Sequence, residues 1–563
     1  MRRHPISVTV TVARAIGERL RAAGVRHVYG HPGGEVVDLI EGFRQAGLAF
    51  VLTKHETAAA FMAEAMASLA GVPGVCLGTL GPGATNLVTG VAHAFLDRAP
   101  VLAFSGQLPA ERYEIATHQR LDLKQLFAPI TKWQATLTAA NAPAVIERAL
   151  RVAQRPRRGP VYLEVPSDVP HQETVDVALP RFETEPSTEI DEDALRTAAA
   201  RLRGSERPLL LVGMDANQES VVAPLARLAE ASGIPVMVTP KAKGVFREDH
   251  PLFVGTIEGL GTAYLYDYID TRDLVLMVGV DPVEFDRDWT AKARVLHLGV
   301  VPNDDRYYGS EVEVVGPIDG ALARLSGAAA MPASGRGELQ AFRDAFLARL
   351  NAPSRGLSAQ QVIAELRRAL PEDALVTCDV GFNKAVSAQC WTALRPRTFF
   401  VSNGLSSMGY GLPAAIALKM AEPERRVACV LGDGGFAMSM AELETASRLG
   451  LGVTVVASWT TRCRRSRRAR SARAIRSPER HSGRSTTRSS PRRSASPASM
   501  SARSMSAERL SALRPAAGRN SSRRTSIRPR TSSADATRTS RGSACRSSDP
   551  CRSDGHRTPG SAS

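Results

Sequence analysis

No two cysteines in this chain stand at CxxC spacing. Of the seven, Cys76, Cys378, Cys390 and Cys429 lie in apolar runs, and Cys463, Cys545 and Cys551 lie in the last fifth of the chain. That pattern excludes the usual zinc frameworks and indicates no disulfide scaffold, so buried thiols in a reducing compartment are expected. Equally absent is any run near the ~18 apolar residues of a membrane span. The opening "MRRHPISVTVTVARAIGERL" also lacks the apolar core and cleavage pattern of a secretory signal. A soluble, cytoplasmic protein is the expectation. The sharpest absence is local. Residues 458–563 contain no Lys, no Phe and no Tyr, but 26 Arg and five acidic residues, a net +21. The whole chain carries +16, so residues 1–457 carry 46 basic and 51 acidic side chains, a net −5. A basic balance ordinarily points to nucleic acid or an anionic surface. Here it says nothing about the first four-fifths of the molecule.

What is present in residues 9–170 is an alternation of strand and helix periods. "TVARAIGERLRAAG" places Val12, Ile16 and Leu20 on one helical face and closes on Gly24. "RHVYG", "LAFVLTKHE" and "VPGVCLGTLGPG" read as strands running into Gly-, Pro- or His-bearing loops, and "TAAAFMAEAMASLAG" reads as a helix. Repeated β–loop–α units of this length imply a mostly parallel sheet covered by helices, with functional groups in the loops beyond the strands' carboxyl ends. The polar stretch "RFETEPSTEIDEDA" (181–194) reads as a linker to a second α/β unit, and the small-residue stretch "SGAAAMPASGRGE" (326–338) as the separator before a third. The fold class expected is therefore α/β, three tandem doubly wound parallel-sheet domains at 1–175, 190–328 and 355–457. The third is expected to be truncated and followed by a disordered Arg/Ser-rich tail at 458–563. Only seven large apolar residues occur among those last 106, too few to offset the entropy of folding.

Several loops carry residue types suited to chemistry. "GDGGF" (432–436) ends a strand with backbone N–H groups unobstructed by side chains and a carboxylate able to hold Mg²⁺, although an ordinary turn has the same sequence. Glu56 in "VLTKHETAAAFMAEA" is either a carboxylate at a helix N-terminus or a carboxyl group in a nearly dry site, suited to sharing a proton with a ring nitrogen. "YGHPGGEVVDL" (29–39) and "GTLGPGATNLVTGVAHAFLDRAPVLAFSGQ" (78–107) add two more Gly/Pro loops, each of which could be punctuation alone.

Taken in this order and spacing, and with "GPVYLEVPSDV" and "SNGLSSMGYGLPAAIA", these motifs resemble the thiamine diphosphate-dependent enzymes, in particular the acetolactate synthase-like branch. The resemblance runs over residues 12–456. It implies pyrimidine-binding, central and diphosphate-binding domains, with the cofactor held between the first domain of one subunit and the third of another, in a homodimer or homotetramer. It implies that Glu56 hydrogen-bonds the cofactor's aminopyrimidine, that Met408 props the cofactor in its bent shape, and that Asp433 is the first Mg²⁺ ligand. Gly432, Gly434 and Gly435 would lie beside the diphosphate, with Asn383 facing it, and Pro32, Gly33 and Asn86 would line the cofactor site. Gln119 falls where the synthases carry an active-site glutamine. His118, beside it, stands where they usually have Phe; it is either a group that orients a substrate carboxylate or a surface histidine. Glu35 after "HPGG" and Lys384 in "DVGFNKAVS" are further departures. The implied activity is decarboxylation of a small 2-oxo acid with carboligation, of transferase or lyase type; a simple decarboxylase releasing an aldehyde is the alternative. FAD often accompanies the family in its central domain, but "GLGTAY" (259–264) is too weak a pattern to assign it, and FAD is left open.

The family's second Mg²⁺ ligand, an Asn or Asp some 26–27 residues beyond the first, falls here on Trp459 and Thr460. Indole cannot ligate Mg²⁺, and a neutral hydroxyl is a poor substitute. A natural basic tail that binds nucleic acid nonspecifically would explain the charge, but such tails usually contain Lys. A GC-rich coding sequence read out of frame yields Arg, Ser, Ala, Pro and Thr with almost no Lys, Phe or Tyr. Residues after about 456 are read in that way, which predicts a third domain with impaired cofactor binding.

Overall fold

The computed structural model describes residues 8–176, 189–303, 307–326, 333–350 and 357–458. All fall within one compact unit, Met1–Leu513. The expectation of disorder for 458–563 lies, but for Ser458, outside the described residues, as do Trp459 and Thr460.

Three sheets account for the fold, with a small antiparallel pair, β1 (Val8–Thr11) and β8 (Glu173–Asp176), tying the two ends of the first domain together. The first sheet contains β2 (His27–Gly30), β3 (Ala49–Leu52), β4 (Gly74–Gly78), β5 (Val101–Gln107), β6 (Trp133–Thr136) and β7 (Val161–Pro166), in the order β3-β2-β4-β5-β7-β6. The second contains β9 (Pro208–Val212), β10 (Val236–Val238), β11 (Phe253–Thr256), β12 (Leu274–Val278), β13 (Arg294–Gly299) and β14 (Val312–Val315), in the order β11-β10-β9-β12-β13-β14. The third contains β15 (Leu375–Cys378), β16 (Phe399–Val401), β17 (Val427–Gly432) and β18 (Thr454–Ser458), in the order β16-β15-β17-β18. Every pairing within these three sheets is parallel. Strand runs such as "PLLLV" and "LVLMV" are buried along their whole length, as sheets covered on both faces require.

Counted within its own domain, the first sheet has the order 2-1-3-4-6-5, and the third repeats it as 2-1-3-4. Both reverse direction between their first and third strands, and a ligand crevice opens at such a reversal, beyond the strands' carboxyl ends. The loops after β2 and β4 flank that point in the first domain, and those after β15 and β17 flank it in the third.

The first and third domains share one apolar core. The helix Glu56–Ala70 contributes Ala59, Phe61 and Met62, and the helix Gly411–Ala421 contributes Leu412, Ile416 and Leu418. The alanine-rich sequences of both helices permit that close approach.

Two expected connections differ from what is observed. The helix Glu192–Arg203 begins inside the 181–194 linker because Asp191 caps it, accepting hydrogen bonds from the backbone N–H groups of Asp193 and Ala194. The 326–338 separator likewise runs into the helix Ala333–Leu350. Ser458, counted with the tail from composition, is the last residue of β18 and pairs with Gly432.

Candidate active site

The first group of candidate residues surrounds the loop after β4. Gly81 has φ +59°, in the left-handed region that glycine enters without strain, and the Pro82–Leu96 helix follows it directly. Glu56 is the first residue of its helix and is buried. Its Oε2 accepts a hydrogen bond from Asn86 Nδ2 at 3.0 Å. Oε1 faces Gly83, where a Cβ would lie 3.4 Å away, and among the described residues it accepts no hydrogen bond. One carboxylate oxygen is thus fixed and the other is free for an external donor. Gly33 packs on Thr79 so closely that a Cβ would approach its Oγ1 to 2.4 Å, and that hydroxyl donates to Glu35 Oε2 at 2.6 Å. Pro32 is exposed beside them. Gln119 holds φ +56° and sits over Gly81, 3.1 Å from where a Cβ would be. A left-handed non-glycine residue is a strained choice that loops retain near functional sites. His118 precedes it, exposed.

The second group surrounds the loop after β17. Asp433 Oδ1 accepts from the Gly434 N–H at 3.0 Å, and Gly434 is exposed. Met408 Sδ would lie 3.4 Å from a Cβ on Gly434, and this methionine keeps 47% of its surface exposed. A large apolar side chain standing open over a glycine loop is suited to supporting a ring system. Asn383 lies against Gly432, with Nδ2 2.8 Å from where a Cβ would be, and its Oδ1 accepts from Ser458 Oγ at 2.6 Å. Lys384 Nζ reaches Ser406 Oγ at 3.3 Å, and burial holds its pKa below the ordinary lysine value. Among the described residues no hydrogen bond joins the Glu56 group to the Asp433 group.

Asp379, which composition and motif reading passed over, organises this second group. It follows β15 and is buried, with Oδ2 accepting from the Gly409 and Gly411 N–H groups at 2.9 and 3.3 Å and Oδ1 from Val380 N–H at 2.8 Å. Burial raises its pKa while those three donors oppose the rise. A Cβ on Gly435 would come within 2.7 Å of its Oδ2, so only glycine fits where the two loops meet at the strand reversal. The signal was in the sequence: "CDVG" (378–381) ends β15 much as "GDGG" ends β17.

Three family models match the chain. Residues 10–126 match the model of the thiamine pyrophosphate enzyme N-terminal TPP binding domain, residues 195–325 that of the central domain, and residues 379–458 that of the C-terminal TPP binding domain. The chain is 33% identical over 468 residues to the probable acetolactate synthase large subunit of Methanocaldococcus jannaschii, covering 79% of each protein. It is 35% identical over 476 residues to the acetolactate synthase of Arthrospira platensis, covering 79% of this chain and 81% of that one. It is 30% identical over 465 residues to acetolactate synthase isozyme 1 large subunit of Escherichia coli.

The chain belongs to the acetolactate synthase-like thiamine diphosphate enzymes. The residues present in the two loop groups fit a thiamine diphosphate cofactor. Glu56 has a free carboxylate oxygen, Gly434 an unobstructed backbone, and Met408 an open apolar side chain. The fit to Mg²⁺ is partial. Asp433 supplies a carboxylate, with the Asn383 amide near the same loop, while the sequence offers Trp459 and Thr460 where the second ligand is expected.

A third polar cluster lies where the three domains meet. Glu64, His93 and Asp97 bring ligand-type atoms within 4.8 Å of one another, but the Lys241 ammonium already occupies this cluster, 2.8 Å from Asp97 Oδ2 and 3.4 Å from Glu64 Oε1. Tyr410 donates to Glu64 Oε2 at 2.8 Å, and the Asn403 and Gly404 N–H groups donate to Asp97. Burial alone would raise the Glu64 pKa, but Lys241, then His93 and Tyr410, hold it below the usual carboxylate range. With its cation built in, the cluster is a tie between domains and not a metal centre. Beside it opens a cavity of about 620 Å³, lined by Arg98, Arg157, Arg158, Asp215 and Lys241 among others. Gly261 of "GLGTAY" packs on Phe346, where a Cβ would clash at 2.7 Å. No helix among the described residues is long and apolar enough to cross a membrane.

Proposed function

We propose that the chain derives from an enzyme that decarboxylates a small 2-oxo acid and joins the product to a second one, with thiamine diphosphate and Mg²⁺ as cofactors, in the cytoplasm. The observation that carries this reading is the split state of Glu56, one oxygen held by Asn86 and the other free beside Gly83. When bound, the cofactor supplies the nucleophilic carbon and the electron sink for decarboxylation. Glu56 Oε1 would hold and return a proton at the aminopyrimidine ring. Met408 would support the bent cofactor, and Asp433, Gly434 and Gly435 would take the metal and diphosphate. Gln119 and His118, on a loop against Gly81, would meet the substrate. No hydrogen bond joins the two groups among the described residues, and a site shared between two copies, in a homodimer or homotetramer, would bring them together. FAD, where carried, would enter the three-domain cavity beside Arg157 and Arg158; a flavin absorbance in purified protein tests this.

The same reading holds activity of this chain to be impaired by a frame change after about residue 456. The match to the C-terminal domain ends at 458, about a fifth of each relative goes unmatched, and the third sheet has four described strands where the first has six. A thermal-shift titration with Mg²⁺ and thiamine diphosphate is expected to give little stabilisation. Strong stabilisation with measurable pyruvate decarboxylation would overturn the impairment, and product analysis would then separate acetolactate formation from aldehyde release. Resequencing codons 450–465 tests the frame directly: another frame should yield an Asn or Asp near position 460 followed by amphipathic helices. Nonspecific nucleic-acid binding that is steep in salt and vanishes on deleting 458–563 would favour the basic-tail reading instead.

A further inference from the structure

Glu442 begins the helix Glu442–Arg448, a few residues after the helix Asp433–Ser439 that carries the diphosphate loop. Its side chain leaves the third domain and enters the first. Only 1% of it is exposed; Oε1 accepts from the backbone N–H groups of Lys54 at 2.8 Å and His55 at 3.2 Å, and Oε2 accepts from Thr445 Oγ1 at 2.7 Å. Lys54 and His55 are the two residues before Glu56. Their N–H groups lie in the connection between β3 and the following helix, where no strand or helix partner is due to them, and a buried amide without an acceptor is costly. A carboxylate accepting two of them makes charge-assisted bonds, stronger than neutral ones. His55 then passes the constraint forward, its Nδ1 accepting from Thr57 N–H at 3.1 Å as the cap of the Glu56 helix. The neighbouring Lys54–Glu444 ion pair, 2.7 Å but partly exposed, adds little by comparison.

We infer that Glu442 is a positioning residue: it sets the backbone from which Glu56 projects, and so makes the pyrimidine half-site depend on the third domain of the same chain. The inference rests on the reading of Glu56 as the cofactor-facing carboxylate. It has a consequence for a site shared between copies. Within one chain, Glu442 connects the half-site that serves one cofactor to the helix pair that serves the other, so disorder in the diphosphate domain reaches both sites.

Hydrogen exchange on the full-length chain without cofactor tests it, read on peptides covering residues 52–58. Glu442→Ala should speed exchange of the Lys54 and His55 amides roughly tenfold or more, as expected for loss of hydrogen bonds to a charged acceptor. Peptides from β5 and β12 should be unchanged. Glu442→Gln keeps a carbonyl acceptor and should restore most of the protection, and Thr445→Val, which leaves Oε1 in place, should preserve it. The proposal fails if Glu442→Ala leaves residues 52–58 unchanged. It also fails if exchange rises alike in all three sheets without rescue by Gln, since that is general destabilisation. Neither result depends on turnover, so the inference can fall while the catalytic reading of Glu56 stands, and the reverse.

Discussion

β5 and β18 occupy the same place in two sheets of one design. Each is the fourth strand of its domain and lies beside the third; β5 is flanked by β4 and β7 and is buried at all seven positions. β18 is flanked by β17 alone among the described strands, and four of its five residues are only half-buried while the fifth is exposed. Its sequence, "TVVAS", is as apolar as the middle of β5, so the difference lies in the neighbours each strand has among the described residues and not in the strand. A strand paired on one side only leaves exposed an edge and apolar surface that a strand paired on both sides covers. The third domain is also held from outside its own sheet, through the helix core it shares with the first domain, the Lys241 cluster and Glu442.

The largest effect should come from breaking that external support. Lys241→Met leaves the buried Glu64 and Asp97 carboxylates without their cation, a change that typically costs about 3–5 kcal/mol. Urea denaturation should show the loss, and limited proteolysis should find cleavage within 399–458 before any within the first sheet. Equal protection of both domains would mean that the third does not lean on the cluster.

The paired strands offer a direct measure of the contrast. Phe104 in β5 is fully buried, and Phe104→Ala should cost about 3–5 kcal/mol. Val455 in β18 is half-buried, and Val455→Ala should cost about 1 kcal/mol by the methyl area it withdraws from water. Similar costs at the two positions would show that β18 is covered by chain beyond Ser458 and that the third sheet is larger than its described strands.

What could be read in advance followed the range of the interactions involved. Gly81, Gly83, Glu56 and the Gly432–Gly435 loop announce themselves because turn chemistry is local: a glycine where φ is positive or a neighbour crowds, a carboxylate at the first turn of a helix. The strand and helix order was legible for the same reason, through apolar runs ended by Gly, Pro or Asp. Glu442 and Lys241 were not, because their partners lie far away in the chain. Glu442 meets amides 388 and 387 residues distant, and Lys241 pairs with carboxylates 144 and 177 residues distant. Nothing in the periodicity around them records such partners. The linker 181–194 was read for its polarity, which hid the capping role of Asp191 within it.

The smallest effect asks whether the third domain unfolds separately from the rest. Asp215 follows β9 in the central domain, whose sheet has six described strands. Burial, then the nearby Asp281 charge, pushes its pKa up to about 6 against 3.8 in an ordinary setting, the surrounding arginines opposing the rise. A carboxyl group raised in this way favours the folded state while protonated. Its contribution is complete below about pH 4 and is lost as pH rises through 6. Asp215→Asn abolishes that dependence, so the variant should match or fall below the parent at pH 4 and exceed it above pH 6. If the third domain opens first, urea curves followed by a probe in the central sheet will carry this pH dependence. A probe in β18 will not. If both probes carry it equally, the described chain unfolds as one cooperative unit, and the weakness of β18 is made good by the contacts it keeps with its neighbours.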